Sequence, residues 1–469
     1  MSAQLWTSDE AAAATGGTNS GDWIASGVSI DSRTLEPGDL FIALRGPNFD
    51  GHDYLNAAFA AGAAAAMVDD SAAAAGYRPL LQVGDAMTGL GGLGAAARKR
   101  ASAKVIAVTG SVGKTGVKEA LAALMGHQAK TEHSAGSFNN HIGVPLSMAR
   151  LAPDASFWVL ELGMNHAGEL TTLSGLARPD VAIVTNVDAV HTAYFASVEA
   201  IAEAKAEIFD GLKAGGTAIL NRDNPHFELL AKRARAAGAG SVVAFGQHAD
   251  ADFRLLNFDL GPDYSDVTAA FRGRTLEYRL GLAGRHWVQN SLAILAAIDA
   301  AGADVFEAAA AMAKLSPNPG RGRRHNIDTG AIQFLIIDES YNASPVSMAA
   351  SLAVLSTLPA TRRIAVLGDM LELGGESDSA HRGLAAAIAG NRVDLVYTAG
   401  EMMAALSRAL PPEQQGAHRD NANDLAPLLA TALQSGDVVL VKGSAGSRMG
   451  VIVETLQSLA ANGEAQNAI

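Results

Sequence analysis

The 469-residue chain contains no cysteine. Disulfides, thiolate metal sites and a cysteine nucleophile are therefore excluded. It also lacks a long apolar run: the longest stretch of small apolar side chains, Ala57 to Val68, is broken by glycine and too short to span a bilayer. Its opening, MSAQLWTSDEAAAATGG, has no basic segment followed by an apolar one, so a soluble cytoplasmic protein is the expectation. Charge is sparse at 18% of residues, the net charge is -13, and no basic run interrupts it. A sequence-independent grip on nucleic acid is thereby disfavoured, leaving small molecules or proteins as partners.

Apolar residues are ample at 49%, enough for several cores, and the length suggests about three domains. The most informative segment is Val105-Ile106-Ala107-Val108-Thr109-Gly110-Ser111-Val112-Gly113-Lys114-Thr115. A β-branched run breaks into a glycine-punctuated turn and then a helical pattern, which reads as strand, phosphate-cradling loop and helix start. Gly110 and Gly113 let backbone N–H groups of Ser111 and Val112 turn inward on an anion, Lys114 adds a mobile cation, and the Thr115 hydroxyl suits Mg²⁺. The common G-x-x-x-x-G-K-[ST] pattern wants glycine where Val108 stands, so this is the shorter T-G-S-x-G-K-T form.

The alternation of apolar strands and helical stretches predicts an α/β protein of three domains. A small N-terminal α/β domain (1–84) has strands at Gly27–Ile30, Leu40–Leu44 and Ala64–Val68. A central P-loop NTPase-like domain with a mostly parallel sheet (85–316) carries the loop and the strands Phe157–Leu162, Val181–Val187 and Thr217–Leu220, with an antiparallel meander appended from Ala249 to Leu282. The Pro/Gly/Arg-rich stretch Ser316–Arg324 marks a boundary. Beyond it, strands at Phe334–Ile337, Arg363–Leu367, Leu395–Ala399 and Val438–Val441 predict a Rossmann-like C-terminal domain (317–469) that lacks G-x-G-x-x-G after its first strand.

In doubly wound sheets the strand C-termini face the ligand crevice, which places Glu161 to hold Mg²⁺. His191, after the strand Val181–Val187, suits a second metal or is an ordinary loop residue. Taken alone, Lys205 among Glu203 and Glu207 reads as a surface lysine. Arg321 is a linker cation or a group that reaches a transferring γ-phosphate as domains close. Asp338, before the polar turn Tyr341–Pro345, suits nucleotide or substrate contacts or a helix cap.

Taken in order, ten segments resemble the Mur ligase family of peptidoglycan synthesis over nearly the whole chain. They are Asp31-Ser32-Arg33-Thr34, TGSVGKT (109–115), Phe138–Pro145, ELGMNHAGE (161–169), TNVDAVH (185–191), AKAEIF (204–209), GRHWVQN (284–290), DESYNASP (338–345), LGDMLELG (367–374) and VKGS (441–444). The resemblance implies a first domain binding the UDP end of the precursor, a centre binding ATP with two Mg²⁺, and a third domain bringing the amine, D-Ala-D-Ala in the dipeptide-adding branch, to UDP-N-acetylmuramoyl-tripeptide. A monomer without nucleic-acid or membrane partners is expected.

By the same resemblance Lys205 is carbamylated and becomes a metal ligand, Thr115, Glu161 and His191 are metal ligands, and Asn290 contacts adenine. Arg321 and Asp338 contact the nucleotide. Ser32, Arg33, Asn139, Asn140, Tyr341, Asn342, Lys442 and Ser444 are substrate-side candidates. Some positions depart from the family pattern: Thr115-Gly116-Val117 replaces Thr-Thr-Thr, Asp338-Glu339 replaces paired aspartates, and Ser137 and Ser344 alter fine substrate contacts. Two rivals are a single-amino-acid-adding ligase of the same architecture and a P-loop switch. The switch would need N-K-x-D where the nearest match is Asn221-Arg222-Asp223-Asn224.

Overall fold

A computed structural model describes residues 4–70, 73–189 and 193–466. Three sheets carry the architecture. The first comprises β1 (Thr18–Asn19), β2 (Gly27–Ser29), β3 (Asp39–Ile42), β4 (Ala65–Val68) and β5 (Leu80–Gln82), in the order β1-β5-β4-β3-β2. Its inner pairs are parallel and only the β1 edge is antiparallel. Helix α1 (Ala86–Arg100) leads from it into the second sheet, capped by the Asp85 carboxylate on the Thr88 N–H at 2.6 Å.

The second sheet contains β6 (Lys104–Thr109), β7 (Thr131–His133), β8 (Phe157–Glu161), β9 (Val181–Val184), β10 (Thr217–Asn221), β11 (Ser241–Gly246), β12 (Phe253–Leu260), β13 (Ser265–Phe271) and β14 (Arg274–Leu280). Their order is β7-β8-β6-β9-β10-β11-β12-β13-β14. Both faces of β6 are covered, so its residues split by parity: Val105 and Ala107 join a core shared with the first sheet through Leu90 and Leu93, whereas Ile106 and Val108 pack on Leu121 and Leu292. The expected meander is no appendage. Phe245 of β11 pairs in parallel with Phe253 of β12, and the hairpins β12-β13-β14 continue the same sheet antiparallel.

The third sheet comprises β15 (Arg323–Asp328), β16 (Gln333–Glu339), β17 (Arg362–Gly368), β18 (Leu395–Ala399), β19 (Gln415–Arg419) and β20 (Asp437–Lys442), ordered β15-β16-β20-β17-β18-β19. β15 begins inside the stretch read as an interdomain linker, because it pairs antiparallel with β16 in the register Arg323↔Asp338. That hairpin brings Arg321 beside Asp338 and Tyr341. Among the described residues no helix is long and apolar enough to cross a membrane.

Candidate functional site

The turn after β6 has the geometry its glycines allow. Gly110 and Gly113 take φ of +148° and +86°, and Gly113 is the N-cap of α2 (Lys114–Gly126). A Cβ on Gly110 would collide with the Thr185 hydroxyl, and one on Gly113 would lie 3.0 Å from Asn290 Nδ2, a tight contact that would displace the amide, on a left-handed backbone that side chains rarely adopt. The loop is bolted from the next strand: Ser111 N–H donates to Asn186 O at 2.8 Å and Thr185 Oγ1 donates to Val112 O at 2.6 Å. Lys114 arches back and donates to Gly110 O at 2.7 Å, holding its ammonium over the loop. Gly116, where the family has threonine, lets the Trp287 ring approach to 2.5 Å of where a Cβ would sit.

Glu161 ends β8 beside this loop because it pairs with Val108, two residues before Gly110. Its side chain is only 1% exposed. One carboxylate oxygen accepts from Asn139 Nδ2 at 2.7 Å, while the other, buried, has no hydrogen-bond partner among the described residues. An unpartnered buried carboxylate oxygen is costly unless a cation completes it. The unpartnered oxygen therefore marks where a divalent ion fits.

Lys205 lies in α3 (Val198–Ala206) and is 1% exposed, so the surface reading of its acidic neighbours does not hold. Burial, then the charge of Lys114, lowers its pKa well below the lysine range. Burial also lowers Lys114, with Glu161 opposing the shift, Arg321 reinforcing it and Glu372 opposing it. Lys114 thus feels charges from both the second and third sheets. His191 lies outside the described residues.

On the facing side, Arg321 lies over the Tyr341 ring at 4.2 Å, and Gly320 (φ +72°) would place a Cβ 2.9 Å from Tyr341 Cβ. Asp338 fixes this corner: it accepts from Gly320 N–H at 2.9 Å and from the Ser340 hydroxyl at 2.6 Å. Tyr341 reaches the Ser137 hydroxyl on the loop before Asn139. Lys442 donates to Asn342 O at 2.9 Å and pairs with Glu339 at 3.2 Å. Ser444 Oγ accepts from Leu371 N–H at 3.0 Å.

Between these walls lies a cavity of about 550 Å³. Ser111 to Thr115, Asn139, Glu161, Asn290, Arg321, Tyr341, Asn342, Lys442 and Ser444 all line it. Gly110, Asn140, Lys205 and Asp338 do not. Asp338 fixes the loop carrying Arg321 from outside the cavity, and the Asn140 carboxamide oxygen accepts from Gly143 N–H at 2.9 Å in the turn before the helix Gly143–Arg150. Ser32 and Arg33 do not line it; they lie after β2, where Arg33 pairs with Asp31 at 2.7 Å.

Sequence reasoning had not assigned several groups that the fold brings to the cavity. They are Thr185 and Asn186, Trp287, His286, and Glu372, a non-glycine residue at φ +63° within LGDMLELG.

Three family descriptions match the chain: "Mur ligase family, catalytic domain" over residues 25–128, "Mur ligase middle domain" over 108–298, and "Mur ligase, glutamate ligase domain" over 322–445. UDP-N-acetylmuramoyl-tripeptide--D-alanyl-D-alanine ligase of Escherichia coli K12 is 36% identical over 439 residues, covering 92% of this chain and 93% of the relative. Its counterpart from Rickettsia prowazekii is 31% identical over 453 residues, covering 97% and 100%. Among solved structures, MurF from Acinetobacter baumannii superimposes with a TM-score of 0.84 at 28% identity, covering 98% of this chain and 100% of that one. MurF ligase from Thermotoga maritima in complex with ADP gives 0.76 at 27% identity, covering 93% and 98%.

Proposed function

The chain belongs to the Mur ligase family, and from that premise we propose that it joins D-Ala-D-Ala to UDP-N-acetylmuramoyl-tripeptide at the expense of ATP. The observation that carries the reading is the phosphate loop facing an unpartnered Glu161 oxygen across one wall of a cavity whose other wall brings Arg321 and Lys442. The relatives' names supply the substrates, and the ADP complex of a related structure supports the nucleotide.

A free carboxylate resists an amine because its oxide is too basic to leave. Phosphoryl transfer from ATP to the terminal carboxylate of the tripeptide gives an acyl phosphate and ADP. The dipeptide amine then attacks the acyl carbon, the bond to the phosphate oxygen breaks, and inorganic phosphate and a proton are released.

This chain's part is to position two anions and screen their repulsion. Inward N–H groups of residues 112–115 and the N-terminus of α2 cradle the phosphates, the Ser111 N–H being spent on Asn186 O, and Lys114 neutralises their charge. Arg321, seated on Tyr341, serves the transferring phosphoryl group, and Asn290, against Gly113, serves the base. Asn139 orients Glu161, and Asp338 fixes the loop that carries Arg321.

Glu161 and the Thr115 hydroxyl would hold a Mg²⁺ that arrives with the nucleotide, since this ion takes one or two carboxylates plus substrate phosphates. When bound it supplies charge neutralisation at the transferred group. A carbamate on Lys205 adds a second carboxylate-like ligand, which the lowered amine pKa favours. The divisions 1–84, 85–316 and 317–469 then correspond to precursor, nucleotide and dipeptide handling.

The test incubates purified protein, ATP and Mg²⁺ with either UDP-N-acetylmuramoyl-tripeptide and D-Ala-D-Ala or UDP-N-acetylmuramoyl-dipeptide and diaminopimelate. Phosphate release and product mass are followed together. Release that requires both acceptor and dipeptide, with the pentapeptide product, is the expected result. Phosphate release without acceptor would favour a switch, and ligation of diaminopimelate alone a single-residue-adding enzyme.

A further inference from the structure

One buried cation takes no part in the chemistry above. Lys118 follows Lys114 by one helical turn on α2 and is 0% exposed, among Val117, Leu121 and other apolar neighbours. Its three N–H donors are all taken: Nζ donates to Ser134 O at 2.6 Å and Gly136 O at 2.7 Å, and pairs with Glu119 at 2.6 Å. No donor is left for a ligand, so Lys118 cannot touch substrate.

The segment it grips leads directly to the site. Ser134 Oγ accepts the Glu161 N–H at 3.2 Å, Ser137 meets Tyr341, and Asn139 donates to Glu161 at 2.7 Å while its carbonyl accepts from Gly163 N–H at 2.7 Å. The helix that begins at the phosphate loop is thereby tied, through one side chain, to the orientation of the carboxylate across the cavity.

We propose that Lys118 is a positioning residue that pins residues 134–136, so that Asn139 occupies one oxygen of Glu161 and leaves the other aimed at the divalent cation. This rests on the proposed function in so far as a Mg²⁺-nucleotide is the ligand. Two of the three donors of this buried charge go to backbone carbonyls of the loop whose Asn139 contacts Glu161, a use that an apolar residue at 118 could not serve.

Lys118→Met, of similar length but without donors, tests it with three readouts. Backbone hydrogen exchange of residues 134–140 in the nucleotide-free protein is expected to rise at least about tenfold. The gain in ADP affinity on adding MgCl₂, measured by calorimetry, is expected to shrink by about 10- to 100-fold, the usual effect of losing a group that orients a metal ligand. Ligase kcat is expected to fall with KM for the peptide precursor little changed, and combining Lys118→Met with Asn139→Ala should cost little more than Asn139→Ala alone.

Lys118→Gln, which keeps two donors without the charge, replaces the methionine variant if the latter does not fold, with effects in the same direction. Unchanged exchange at 134–140, an undiminished Mg²⁺ effect on ADP, or additive losses in the double variant would overturn the proposal. The exchange and ADP measurements need no turnover. Failure of the wild-type protein to ligate would therefore count against the proposed function and not against this one.

Discussion

Tyr341 and Ser137 meet hydroxyl to hydroxyl, joining the turn after β16 to the loop before Asn139 across the cavity. The same tyrosine carries Arg321 on its ring. Tyr341→Phe removes the first contact and keeps the second, so kcat/KM is expected to fall about three- to tenfold, the scale of one hydrogen bond. Tyr341→Ala removes both and should lose about a further three- to tenfold. Steady-state kinetics with ATP varied separates the two effects.

Glu161→Gln preserves size but removes the charge that a divalent ion would meet. Melting temperature of the metal-free protein is expected to hold or rise, since the change relieves a buried charged oxygen that has no partner there. Ligation is expected to drop at least about 100-fold, and MgCl₂ should no longer strengthen ADP binding in calorimetry. A variant that still responds to Mg²⁺ would mean that the ion is held elsewhere.

Burial, with the Lys114 charge beside it, lowers the Lys205 pKa well below the lysine range and so raises the share of free amine, the form that adds to carbon dioxide. Protein equilibrated with ¹³C-bicarbonate should give a carbamate signal by NMR that Lys205→Met lacks. Stripping dissolved carbon dioxide should lower ligase activity, and bicarbonate should restore it. An identical spectrum from the variant would remove Lys205 from the metal site.

Burial pushes Glu119 upward, but the His133 hydrogen bond and the Lys118 ammonium outweigh it and hold its carboxyl at about 2, below its ordinary 4.5. The folded form therefore binds fewer protons than the unfolded chain between those values. Its stabilisation is fully present above 4.5 and is lost as pH falls through about 2. Glu119→Gln should lower the melting temperature near pH 6, with the gap from wild type closing as acid is added. Circular dichroism melts across that range provide the check.

Much of the fold was legible because its strands are apolar and buried on both faces, as Val105–Val108 illustrates. The phosphate loop was legible because glycine, lysine and threonine occur there in fixed order. Parity in sequence cannot say which strand pairs with which, so the continuity of β11 with β12 and the early start of β15 at Arg323 went unread. Lys205 shows the limit of local context: Glu203 and Glu207 suggested solvent, whereas tertiary packing buries the lysine between them. Lys118 carried a faint signal, a lysine one turn after Lys114 on an apolar helix face. The backbone carbonyls that satisfy it are 16 and 18 residues away and leave no mark in composition.

The cavity's two walls belong to different sheets, with consequences for fuel economy. In the proposed reaction the acyl phosphate is open to hydrolysis, so water must be kept from it until the second substrate has reacted. On that reading the Ser137–Tyr341 contact, which joins the two walls, would favour keeping the intermediate over idle loss of nucleotide.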